Sequence, residues 1–129
     1  MGLFNTGSKF KMNKAKFIES IQSLGYTATD YVPTKQFNGM ISCCNTNCNI
    51  VFYEFSEIKF AKYACQSMET RIMGKFTKTE IKSGNKHRIT AKANDRYLVI
   101  SRLENTVVCV DCSIKYQHML DGILKQVGY

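Results

Sequence analysis

Two strand-length apolar runs with only two residues between them constrain this chain more than any other feature. They are Tyr97–Leu103 and Thr106–Cys112, joined at Glu104-Asn105. Runs of that length on so short a connection close as an antiparallel hairpin. Ser113 follows directly as the expected cap of a helix to about Val127, stopped by Gly128. Tyr116, Met119, Leu120, Ile123, Leu124 and Val127 supply its apolar face.

The same order occurs earlier in the chain. A hairpin of Gly39–Cys44 and Cys48–Phe55, turning at Asn45-Thr46-Asn47, leads into Ser56 as cap and a helix of about Glu57–Met73. Ile58, Ala61, Ala64, Cys65, Met68 and Ile72 make one helical stripe, with Gly74 near its end. The two units read as a candidate pseudo-repeat of ββα. Because Ile50, Val51, Phe52, Tyr53 and Phe55 are all apolar, Cys48–Phe55 is expected as a central strand covered on both faces.

Three further elements complete the order. Asn13 caps a helix of about Lys14–Leu24 that Gly25 ends, with Phe17, Ile18, Ile21 and Leu24 on its buried face. Tyr26–Val32 is a strand ended by Pro33. A middle hairpin spans Phe76–Lys92. There a three-residue loop, Ser83-Gly84-Asn85, pairs Lys82 with Lys86 and Glu80 with Arg88, and gathers Thr79, Ile81, His87, Ile89 and Ala91 on one face. The fold class expected is α+β, a mainly antiparallel sheet of about six or seven strands with three helices in the order α-β-β-β-α-β-β-β-β-α. The helices are expected on one face of that sheet.

At 129 residues the chain has the size of one domain, assigned to residues 13–129 with a flexible N-terminal arm at 1–12. Its 44% hydrophobic residues, among them eight Phe and seven Tyr, exclude intrinsic disorder. No apolar stretch reaches the length of a signal peptide or a membrane span, so a cytoplasmic location is expected for the sequence as given. Gly2 and Thr6, followed by Lys9, Lys11, Lys14 and Lys16, also satisfy the short N-myristoylation pattern. Six cysteines without an export signal, two of them adjacent at Cys43-Cys44, predict reduced thiols rather than a disulfide framework.

Several segments carry a resemblance. Leu24-Gly25-Tyr26-Thr27, Val51-Phe52-Tyr53-Glu54-Phe55-Ser56, Ser101-Arg102-Leu103-Glu104-Asn105-Thr106 and Val127-Gly128-Tyr129 are similar to segments of small α+β domains of Firmicutes-type bacteria that have no assigned activity. Some of those domains resemble lipoproteins, whereas this chain lacks the lipoprotein leader and is richer in cysteine. The resemblance implies a fold and a bacterial origin, and no chemistry.

Three patterns bear on chemistry. Cys44-x3-Cys48 brackets a turn and Cys109-x2-Cys112 ends a strand, so Cys44, Cys48, Cys109 and Cys112 are candidate ligands of a structural zinc, if the second strand ends at Val110. Cys109 and Cys112 alternatively form a redox pair at a helix start, although Asp111 between them would raise a thiol pKa. Residues 59–96 hold ten Lys/Arg against three Asp/Glu and most of the net charge of +8. Within the hairpin 75–96, Lys78, Lys82, Lys86, Arg88 and Lys92 are candidate contacts to nucleic acid or another polyanion, or else a solvated edge guarded by lysines. His87 and His118 stand apart from any nucleophile motif, and neither a glycine-rich phosphate loop nor a zinc-protease helix occurs. No catalytic residue and no cofactor is expected. The function indicated is a non-catalytic binding or protein-interaction module of unassigned partner, with polyanion binding and a cysteine site as alternatives.

Overall fold

A computed structural model describes residues 12–31, 37–44 and 48–129, with backbone alone at Tyr31, Phe37 and Cys44. Seven strands are present among them: β1 (Thr27–Tyr31), β2 (Phe37–Cys44), β3 (Cys48–Phe55), β4 (Lys78–Ser83), β5 (Lys86–Ala93), β6 (Arg96–Leu103) and β7 (Thr106–Ser113). The helices are α1 (Lys14–Ser23), α2 (Ile58–Met73) and α3 (Gln117–Val127), α3 being preceded by a 3₁₀ turn at Ile114–Tyr116. One antiparallel sheet results, in the order β1-β2-β3-β7-β6-β5-β4. This is the α+β order that the hydrophobic pattern predicts. The expected arm at 1–12, Pro33 and the turn at 45–47 lie outside the described residues, except that Met12 is buried in the core.

Helices cover both faces, not one. Phe17 and Ile21 of α1 pack with Leu120, Leu124 and Val127 of α3 over Ile41, Ile50, Phe52, Val99 and Val108. The rings of Phe17 and Phe52 stack at 4.4 Å. On the other face Ala61, Cys65, Met68 and Met73 of α2 meet Ile89, Ala91, Leu98, Ile100 and Val107. The reason lies in β6, where every residue from Tyr97 to Leu103 is buried: consecutive residues point to opposite faces, so each face needs its own cover. Both ββα units exist, but a rotation about the sheet normal that carries β2–β3 onto β6–β7 leaves both helices on one face. The structure sends α2 and α3 to opposite faces, so the units share an order and no symmetry.

The middle hairpin also differs from expectation. Ser83 pairs with Lys86, Ile81 with Arg88 and Glu80 with Ile89, which leaves a two-residue turn at Gly84-Asn85. Gly84 supplies the left-handed φ of +59° that such a turn needs. Ile81 is thereby turned to the face opposite Ile89 and stays 60% exposed, which an edge strand tolerates. Two expected caps are displaced as well. Glu57, not Ser56, holds the N-cap position of α2, and Ser113 opens the 3₁₀ turn; neither side chain makes a capping bond. Asn13 does cap α1, its Oδ1 accepting from the Lys16 backbone N–H at 2.9 Å.

The turn between β6 and β7 is fixed by buried polar contacts. Asn105 donates through Nδ2 to the Phe55 carbonyl at 2.8 Å, and Phe55 N–H donates back to the Asn105 carbonyl at 2.9 Å. Thr106 gives its one hydroxyl proton to the Leu103 carbonyl, so the Tyr129 hydroxyl, 2.5 Å from Thr106 Oγ1, is the donor in their bond. Tyr129→Phe removes that donor while keeping the ring against Phe17. We expect a loss of about 1 kcal/mol in urea unfolding; an unchanged midpoint would assign the hydroxyl no part in stability.

Candidate functional site

The register divides the cysteines between the two faces. Cys48 stands directly opposite Cys112, and both are buried on the face that α1 and α3 cover, as is Cys43. Cys109 points the other way, toward α2, with its Sγ 3.2 Å from Met68 Sδ. Because β7 continues to Ser113, Cys109 and Cys112 keep opposite orientations, and Cys44, Cys48, Cys109 and Cys112 cannot close on one metal. The side chain of Cys44 lies outside the described residues. Among the described residues no group of three or more His, Cys, Asp or Glu side chains is placed to hold a metal ion.

Burial governs these thiols. It pushes Cys43 up to about 11 and Cys109 to about 12. Burial also raises Cys112 to about 12, helped by its hydrogen bond with Cys48. Such thiols stay neutral in the fold and ionise near their ordinary value of 9.0 once unfolded. The stability they contribute is therefore full below pH 9 and declines as pH rises toward 11 to 12. We expect the urea midpoint to fall between pH 8 and about pH 10.5, and Cys43, Cys109 and Cys112 to react with thiol reagents at pH 8 only as the protein unfolds. A midpoint independent of pH across that range would contradict the placement.

The five basic residues of the middle hairpin do not share a surface. Lys78 and Lys82 lie on the α2 face, and Arg88 and Lys92 on the α3 face, with Lys86 at the turn between them. Two are neutralised. Lys78 pairs with Glu69 of α2 at 3.4 Å, and Arg88 with Asp121 of α3 at 2.7 Å, where Tyr97 OH also donates to Asp121 at 2.8 Å.

What the hairpin does form is one wall of a cleft. Between α2 and β4–β6 lies a cavity of about 460 Å³ lined by Lys62, Cys65, Gln66 and Glu69 of α2, by Glu80, Lys82, Gly84, Lys86 and His87, and by Arg102. At its floor is Arg102, only 7% exposed. Its register partners are His87 and Val107, which places it on the α2 face inside an otherwise apolar strand. Nη1 donates to the Glu104 carbonyl at 2.9 Å, and among the described residues no carboxylate pairs with the guanidinium. Arg102 itself lines the cleft, and none of its nitrogens is buried without a partner among the described residues.

The two carboxylates of the cleft are engaged elsewhere, Glu80 with His87 Nε2 at 2.5 Å and Glu69 with Lys78. Lys62, Lys82 and Lys86 have no ion pair among the described residues. Burial dominates the raised pKa of Cys65, about 11, and the nearby Arg102 charge opposes it while Glu69 and Glu80 add to it. A buried guanidinium is costly to desolvate unless an anion or several acceptors compensate it. Here one backbone carbonyl does so, and the cleft keeps an excess of positive charge facing solvent. Of its cations, Lys82 and Lys86 are visible in the sequence as part of a basic run. Lys62 belongs to the basic segment 59–96 but not to the hairpin, and Arg102 lies beyond both, although a charge inside the strand Tyr97–Leu103 is a signal in its own right.

No family model matches this chain, and no curated protein matches it. A solved structure described as the crystal structure of a GTP binding regulator from Thermotoga maritima is similar, with a TM-score of 0.52 over 90% of this chain and 84% of that one. The two are 9% identical, so the likeness shows the fold alone. No helix among the described residues is long and apolar enough to cross a membrane.

Proposed function

We propose that this chain is a non-catalytic binding module whose ligand is a small polyanion of the phosphate type, held in the cleft between α2 and the β4–β6 strands. The observation that carries it is Arg102, a buried guanidinium without a carboxylate partner among the described residues, at the floor of a cleft rimmed by Lys62, Lys82 and Lys86. A guanidinium fork matches the geometry of phosphate oxygens, and a site already short of acceptors gains most from an anion. The cavity exceeds a single phosphate several-fold, which favours a pyrophosphate or nucleotide-sized anion. A buried guanidinium and a rim of lysines supply the chemistry of anion binding. The resemblance to domains of Firmicutes-type bacteria supports a bacterial origin.

Calorimetry with orthophosphate, pyrophosphate and GTP tests this; GTP is included because the structurally similar protein is described as a GTP binding regulator. We expect saturable binding, tighter for the polyphosphates and weakened by added salt. Arg102→Met should weaken it by about tenfold or more, whereas Lys62→Ala and Lys82→Ala at the rim should each have smaller effects. Replacing a buried, uncompensated charge by an apolar side chain should leave thermal stability unchanged or raise it. Affinity undiminished in Arg102→Met, or no binding by the polyphosphates, would overturn the assignment.

A further inference from the structure

The other flank of α2 carries a site of different chemistry. Where α2 leaves β3 and β7 uncovered lies a pocket of about 250 Å³, with Val51, Leu98, Ile100 and Cys109 at its floor and Met68 and Ile72 of α2 along its side. Arg71 stands at its lip, exposed and without an ion pair among the described residues. Tyr53, at the same rim, stacks on Phe55 at 6.4 Å and joins this pocket to a second hollow under Phe60 and Tyr63. We propose that this pocket binds a monocarboxylate with an aromatic body of one or two rings, its ring on the apolar floor and its carboxylate on Arg71.

Size, polarity and charge agree on that ligand. An apolar cavity of about 150 Å³ accepts benzene, so the larger pocket has room for a bicyclic body. The two sulfurs of Met68 and Cys109 lie 3.2 Å apart on its wall, a soft, polarizable surface that favours an aromatic ring edge. Burial keeps the Cys109 thiol neutral, so the floor carries no competing negative charge. The acidic group at the far end, Asp111, is taken by Arg96 through Nε at 3.0 Å. That leaves Arg71 as the charge that selects the ligand. A planar carboxylate meets a single guanidinium by a two-pronged bond, whereas a polyphosphate calls for the several cations of the opposite cleft.

The test is titration of the full chain with 2-naphthoate and with the uncharged 2-naphthamide, followed by calorimetry and by NMR of methyl groups. We expect saturable one-to-one binding of the acid, with the largest shifts at Val51, Leu98, Ile100 and Met68. The amide should bind about tenfold more weakly, and Arg71→Met should weaken the acid by a similar factor. Arg71 is exposed, so the variant should fold as the parent does, and it should keep the parent's affinity for pyrophosphate, which separates this site from the Arg102 cleft. Equal affinity for acid and amide, an unchanged affinity in Arg71→Met, displacement of naphthoate by pyrophosphate, or no saturable binding at millimolar naphthoate would each overturn the proposal.

Discussion

The pairing of β3 with β7 is the constraint on which the rest of the molecule depends. It joins two separate meanders, β1–β3 and β4–β7, into one sheet, through seven residue pairs from Cys48 opposite Cys112 to Glu54 opposite Thr106. Without that seam neither half has a complete core. Phe52 and Val108, neighbours across it, share the cluster under α1 and α3, while Phe55 and Val107 share the cluster under α2. Burying one such side chain stabilises by about 1.5–3 kcal/mol, and the seam places them by twos on each face. The buried bonds between Asn105 and Phe55 hold one end of it in register.

One helix over seven strands leaves room for both the charged cleft and the apolar pocket. α2 alone crosses its own face and leaves a hollow on each flank, while on the other face a hollow also remains beside α3, between Arg88, Asp121 and Tyr129. The flanks differ because the strands beneath them differ. Toward β4 and β5 the upward-facing residues are Lys78, Glu80, Lys82 and His87, and toward β3 they are Val51, Tyr53 and Phe55. The same helix therefore borders a charged cleft and an apolar pocket, with Lys62 and Glu69 turned to one and Arg71 and Ile72 to the other.

Much of the fold was legible in the sequence because it rests on local signals. Glu104-Asn105 between two apolar runs, Asn13 before a helical stripe, and Gly25 and Gly128 after one all sit where the structure uses them. The layer arrangement was harder to read, since both-face burial is visible in Tyr97–Leu103 but does not say which helix goes to which face. The middle hairpin misled because its edge strand need not segregate apolar residues, and Gly84 outweighed the apparent pattern of Ile81 with Ile89. The candidate site was legible only in part. Lys82 and Lys86 stand in a visible basic run, but the pairing of Lys78 and Arg88 with Glu69 and Asp121 needs partners 9 and 33 residues away, which no local pattern supplies. Arg102 drew no notice because its meaning comes from burial.

The tight turns of the second meander also set an order in time. β4 to β7 are linked by turns at Gly84-Asn85, Asn94-Asp95 and Glu104-Asn105, with Asn94 and Glu104 both at positive φ. Each hairpin closes between near neighbours, on a scale of about 1–10 µs for such units. The β3–β7 seam must instead bring together residues separated by all of α2 and three strands, a slower and less probable encounter. The four-stranded meander is thus the template that waits, and the first three strands with α1 are the part that arrives. During that interval the apolar edges of β3 and β7 stand unpaired, and their exposure time is governed by the seam rather than by the turns.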